Sequence, residues 1–141
     1  MHFTPNHKIT SLPSSWIFVF GSNLDGRHAG GAAKDAVQYF GAKWGQGEGL
    51  QGQSYAIPTM HGDARAIKPY VDRFIAFAKA HQEFYFVVTP IGCGIAGRPL
   101  SEMAGLFKDA LPLDNVMLPR AFMLAIYAEE ALRFGAEGHF I

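Results

Sequence analysis

Apolar residues fall along this chain in two patterns, short unbroken runs and positions spaced three and four apart. Trp16-Ile17-Phe18-Val19-Phe20 and Phe84-Tyr85-Phe86-Val87-Val88 are unbroken. Such runs suit strands buried on both faces of a sheet between helices, because alternation is needed only where one face meets water. Ser54-Tyr55-Ala56-Ile57, ending at Pro58, and Asn115-Val116-Met117-Leu118-Pro119 are shorter runs that predict two more strands. The helical spacing comes between and after them. Ala33, Ala36, Val37 and Phe40 fall at i, i+3, i+4 and i+7 and predict a helix ending at Gly41. Val71, Phe74, Ile75 and Ala78 predict a second helix reaching about His81, with Pro69 in its first turn and residues 59–68 as a polar connection. Met103, Leu106, Phe107, Ala110 and Leu111 share one face of a third helix, with Ser101 as its N-cap. Leu124, Tyr127, Ala128, Ala131 and Leu132 give a fourth amphipathic face, closed by Gly135. Residues 1–12 read as an arm or short edge strand anchored by Ile9 and Leu12.

Strand and helix therefore alternate, which is the α/β signature, and ligands are expected at the carboxyl ends of the strands. Two glycine-rich stretches sit there. Phe20-Gly21-Ser22-Asn23 through Gly30-Gly31 follows the first core strand, and Pro90-Ile91-Gly92-Cys93-Gly94-Ile95-Ala96-Gly97-Arg98-Pro99 follows the strand ending at Val88. A strand that runs into a glycine-rich turn and then a helix lets the backbone approach a ligand closely. The N–H groups of turn and helix start then suit anionic oxygens. Nine of the 16 glycines lie between positions 21 and 52, so special backbone conformations concentrate there. The segment 41–53 is read as an ordered loop, since a strand follows it directly.

With 141 residues, 49% hydrophobic and 17% charged, the chain is one globular domain. Its formal charge is zero, so bulk electrostatic binding of nucleic acid is not expected. Cys93 is the only cysteine, which excludes a disulfide framework, and the six histidines show no metal-ligand spacing. Without an apolar run of spanning length or a signal-peptide pattern, no membrane partner is expected and a reducing, cytoplasmic compartment is the simplest expectation.

Several side chains are candidates for chemistry. Asn23 could hold a sugar hydroxyl, or serve as a turn-forming residue. His28 could act as a base near neutral pH, or be merely solvated. Cys93, between two glycines, resembles a positioned nucleophile, but no His or Asp is placed beside it and a small space-filling side chain fits as well. Arg98 could reach a phosphate, and Glu48 is a carboxylate in a glycine-rich loop. Neither the phosphate-loop lysine motif nor the dinucleotide glycine fingerprint is present.

Together these residues resemble the macrodomain superfamily, nearest to small members from bacteria and phages. The likeness is carried by Gly21-Ser22-Asn23 followed by His28-Ala29-Gly30-Gly31-Ala32-Ala33, by Gly52-Gln53-Ser54-Tyr55-Ala56-Ile57-Pro58, and by Ile91-Gly92-Cys93-Gly94-Ile95-Ala96-Gly97. It covers about residues 8–118, with a further helix over about 122–134. The resemblance implies a single three-layer α/β/α domain on a mixed, largely parallel sheet. It implies a site for ADP-ribose, free or on an ADP-ribosylated macromolecule, and no separate cofactor or metal. Asn23 would face the distal ribose, Gly21, Ser22, Gly30, Gly31 and Ala32 would line the first loop, and Ile91 to Arg98 would wrap the phosphates. If the cradle is a hydrolase, Asn23 and His28 are its candidate catalytic residues. The chain departs from the catalytic sets of related hydrolases, however. Two positions where they place a carboxylate are Ala33 and Ala96, Lys34 is out of register with their lysine, and Lys8 stands where many members aim an acid at adenine. Binding is therefore the first expectation, with hydrolysis and a protein-interaction module as alternatives.

Overall fold

The computed structural model describes residues 3–136. Six strands form one sheet: β1 (Phe3–Thr4), β2 (Trp16–Ser22), β3 (Gly49–Gln51), β4 (Ser54–Pro58), β5 (Tyr85–Val88) and β6 (Val116–Pro119). Their order is β1-β6-β5-β2-β4-β3, parallel throughout except for the antiparallel pairing of β3 with β4. Four α-helices cover the sheet: α1 (Gly31–Tyr39), α2 (Ala64–Ala80), α3 (Leu100–Leu106) and α4 (Arg120–Ala136), with one 3₁₀ turn at Lys108–Ala110. This is a three-layer α/β/α domain on a mixed, mostly parallel sheet. Among the described residues no helix is long and apolar enough to cross a membrane.

The unbroken apolar runs behave as the burial argument requires. Along β2, Ile17 and Val19 face the layer of α2, α3 and α4, while Phe18 and Phe20 face α1. Phe74, Phe86, Phe107 and Phe122 lie fully buried on the first side, and Phe40 closes the second by stacking on Phe18 at 4.4 Å between ring centres. Each such ring contributes roughly 2–3 kcal/mol by leaving water. The central parallel trio β5-β2-β4 thus brings its strand ends, and the loops after them, to one edge of the domain.

Four local expectations need correction. Helix α2 begins at Ala64, not near Pro69. Asp63 caps it, accepting from the N–H groups of Arg65 (3.1 Å) and Ala66 (3.3 Å), and Pro69 lies inside the helix. Burial of Ile67 alongside Val71 and Phe74 compensates the ladder bond that a proline cannot make. Helix α3 is capped by Pro99, with Ser101 in its first turn. In α1, Val37 is 40% exposed, so the core-facing stripe is Ala33, Ala36 and Phe40. In α4 the buried face is Phe122, Met123 and Ile126, whereas Leu124, Tyr127 and Leu132 are exposed, and Gly135 lies within the helix. The segment 41–53 is ordered and contributes β3, a strand that its composition does not announce.

Candidate ligand-binding cleft

A cleft of about 190 Å³ opens where β2, β4 and β5 end. Gly21, Ser22, Asn23, Gly30, Gly31 and Ala32 line it from the first loop, and Ile91, Gly92, Gly94, Ile95 and Ala96 from the second. These are eleven of the fifteen positions anticipated from sequence. His28, Cys93, Gly97 and Arg98 do not line it. Arg27, Ala29, Ala33, Thr59, Met60, Thr89 and Pro90 do. Thr59 and Thr89 each stand one residue past a strand, at the position where α/β sheets expect ligands, so their signal was in the sequence.

The two walls meet above Gly30, where a Cβ would lie 2.8 Å from Ile95 Cδ1. Any side chain there would push the Ile95 flap aside. Ile95 is 71% exposed although apolar, since it leans across the mouth of the cleft without packing into the core. Both walls carry spare donors. The N–H groups of Gly31, Ala32 and Ala33 in the first turn of α1 precede the first helical bond. Those of Gly94, Ile95 and Ala96 make no hydrogen bond among the described residues. No acidic side chain occupies the first turn of α1, so the positive end of its dipole is uncompensated. Among the described residues no carboxylate lines the cleft, and the guanidinium of Arg27 has no ion-pair partner. The electrostatic character of this cleft therefore favours an anion.

Asn23 takes the turn-forming role that the sequence allowed, whereas His28 and Arg98 take roles other than those expected. Asn23 braces its own loop: Oδ1 accepts from Arg27 N–H (2.9 Å) and Nδ2 donates to the Arg27 carbonyl (3.0 Å). His28 is not a solvated loop base, for only 2% of it is exposed. Its Nε2 faces the Lys43 carbonyl (2.8 Å) and Gln51 Oε1 (3.1 Å), and its Nδ1 faces Ser22 Oγ (2.7 Å). Sequence reasoning missed this because Gln51, 23 residues away, arrives only through the β3–β4 pairing. Arg98 turns away from the cleft and ties the second loop to residues 59–62. Its Nε donates to the Thr59 carbonyl (2.6 Å) and its Nη2 to those of His61 (3.0 Å) and Gly62 (2.9 Å).

Cys93 packs against the core beside the cleft, and burial pushes its thiol pKa up. The raised value disfavours the thiolate, which is the nucleophilic form. Glu48 makes a two-pronged ion pair with Arg73 (2.7 and 3.2 Å) and is not part of the cleft. Lys8 pairs with Asp35 at 3.5 Å. Among the described residues no group of His, Cys, Asp and Glu is placed to hold a metal ion. Comparison with known proteins finds no family model, no curated protein and no solved structure that matches this chain.

Proposed function

We propose that this protein binds ADP-ribose, or a related nucleotide, through the diphosphate, as its resemblance to macrodomains implies. The observation that carries the reading is the pair of N–H sets, Gly31–Ala33 and Gly94–Ala96, which among the described residues have no hydrogen-bond partner and line a cleft without a carboxylate. Backbone amides at a helix start and in a glycine-rich turn are a natural cradle for phosphate oxygens. Arg27, at the rim, supplies the positive charge that sequence reasoning assigned to Arg98. The cleft volume of about 190 Å³ is less than that of sites which engulf a whole drug-sized ligand, so on this reading the cleft takes only part of the nucleotide.

Binding without turnover is favoured over hydrolysis. Ala33 and Ala96, which by the resemblance take the places of a carboxylate in related hydrolases, both line the cleft. His28 is buried behind the wall with both ring nitrogens engaged. Calorimetry with ADP-ribose tests the reading. Binding should be measurable, and Arg27→Ala should weaken it by about three- to tenfold, the scale of one partly exposed charge-assisted contact. No heat at millimolar ligand defeats the proposal, and rapid release of ADP-ribose from a modified protein defeats the non-catalytic part of it.

A further inference from the structure

Helices α2 and α4 are both 17 residues long, and both lie on the same side of the sheet. Their outward faces differ. On α2 the exposed positions include Arg65, Lys68, Asp72, Arg73 and Lys79, the polar face expected of a surface helix. On α4 the core takes Phe122, Met123 and Ile126. The opposite side presents Leu124 (56% exposed), Tyr127 (50%), Ala128, Ala131 and Leu132 (76%). These five fall at i, i+3, i+4, i+7 and i+8, one stripe over about two turns with no charge in it. The carboxylates of the helix, Glu129 and Glu130, lie off the stripe, and Glu130 pairs with Lys108 and with Arg133 (3.5 Å). Single exposed apolar side chains are ordinary, whereas a contiguous apolar stripe marks a surface that something covers.

We infer that the stripe is covered by a second copy of this chain, the two α4 helices packing antiparallel at a shallow angle about a two-fold axis near Ala128. Two observations select that occupant. The first is that the stripe is self-complementary. Leu124 and Leu132 stand four residues either side of Ala128, so the axis sets each Leu124 beside Leu132 of the other copy. The small side chain of Ala128 lets the helix axes approach to about 8 Å, and the leucines flank the crossing. The second observation is Arg120. It opens α4, is exposed, and has no ion-pair partner among the described residues. A cation at the positive end of its own helix dipole is unfavourably placed, and the first turn holds no acid to offset it. Arg120 and Ala136 each stand eight residues from Ala128, so in the antiparallel pair Arg120 meets the end of the other copy's helix. There it faces the negative end of a dipole. A charge that is unfavourable in one chain becomes favourable in two. An unrelated apolar partner accounts for the leucines and leaves Arg120 unexplained.

Analytical ultracentrifugation of the full chain tests this without any nucleotide. The mass should rise from one chain, 15.4 kDa, toward twice that value between roughly 10 µM and 1 mM. Ala128→Glu sets two carboxylates against each other at the axis and should weaken the dimer at least about tenfold. Its circular dichroism should stay native, because the position is exposed. Ala128→Lys should act in the same way, and an equimolar mixture of the two variants should recover a dimer holding one of each. Arg120→Glu separates the two copies from the single one. It should weaken the dimer by about three- to tenfold and yet raise the melting temperature of the dilute monomer, since an acid suits the start of a helix. Leu132→Glu, at an exposed side chain, repeats the first test should Ala128→Glu fail to fold. A single-chain mass up to millimolar concentration overturns the inference and leaves the stripe to another occupant. A dimer that both Ala128→Glu and Leu132→Glu leave intact overturns it as well, as does a mixture of the Glu and Lys variants that stays monomeric.

Discussion

Gly26 lies in the first loop against residues 45 and 46, Gly94 lines the cleft in the second, and a methyl group added to each would meet opposite surroundings. At Gly26 the backbone has φ +68°, and a Cβ would overlap the backbone of Gly45 and Gln46. At Gly94 a Cβ would meet nothing within 4 Å. The first loop is held from behind by side chains, through the Asn23–Arg27 brace and the Ser22–His28–Gln51 network. The second is held chiefly at its end, where Arg98 binds three carbonyls, and leaves Ile95 free over the mouth. Two stretches alike in composition therefore use glycine for different purposes. At Gly26 glycine lets two backbone segments touch, whereas at Gly94 it leaves the backbone open to the cleft.

The sharpest way to break this contrast is Gly26→Val. Positive φ and overlap with neighbouring backbone together should cost more than about 4 kcal/mol, the range of severe point mutations, and thermal or urea unfolding should show the loss. A native-like melting curve would mean that the first loop is not packed as described. Next in size is His28→Ala, which orphans the Ser22 hydroxyl and the acceptors facing Nε2. It should destabilise the fold by about 3 kcal/mol in urea titration, summing two buried hydrogen bonds and a cavity.

Gly94→Val tests the second loop. Its stability should stay within about 0.5 kcal/mol of native, as for surface positions, while ADP-ribose affinity falls at least tenfold because the side chain occupies the ligand's approach. Loss of folding together with binding would erase the distinction between the loops. The smallest effect concerns Cys93. Its raised thiol pKa keeps the neutral form at pH values where an ordinary cysteine already ionises, so alkylation should be slow near neutrality and continue to accelerate above the usual thiol range. Cys93→Ala should bind ADP-ribose within about twofold of native, since the side chain does not line the cleft. Fast alkylation at neutral pH would show a thiol facing the cleft.

The elements of this fold were readable wherever burial acts on every residue of a run. Trp16–Phe20 and Tyr85–Val88 are apolar throughout because both faces of a central parallel strand are covered, and no long-range information is needed to see that. The position of the cleft was readable for a related reason, since strand, glycine-rich turn and helix start are contiguous in the chain. Helix faces were less secure. In α4 two apolar stripes interleave, and only packing against α3 and β6 selects Phe122, Met123 and Ile126 over Leu124, Tyr127 and Leu132. Pro69 misplaced the start of α2 because its local preference for a first turn is weaker than the burial of Ile67 and the cap at Asp63.

The sequence by itself determined that this is an α/β domain and that two glycine-rich turns follow its core strands. It could not determine what each polar side chain near those turns does. Gln51 reaches His28, and Arg98 reaches residues 59–62, across spans of 23 and 36 to 39 residues. A local pattern states which groups a residue offers. Which groups remain for a ligand depends on partners that tertiary structure alone brings near, and a hydrogen bond already made inside the protein leaves one fewer for anything bound.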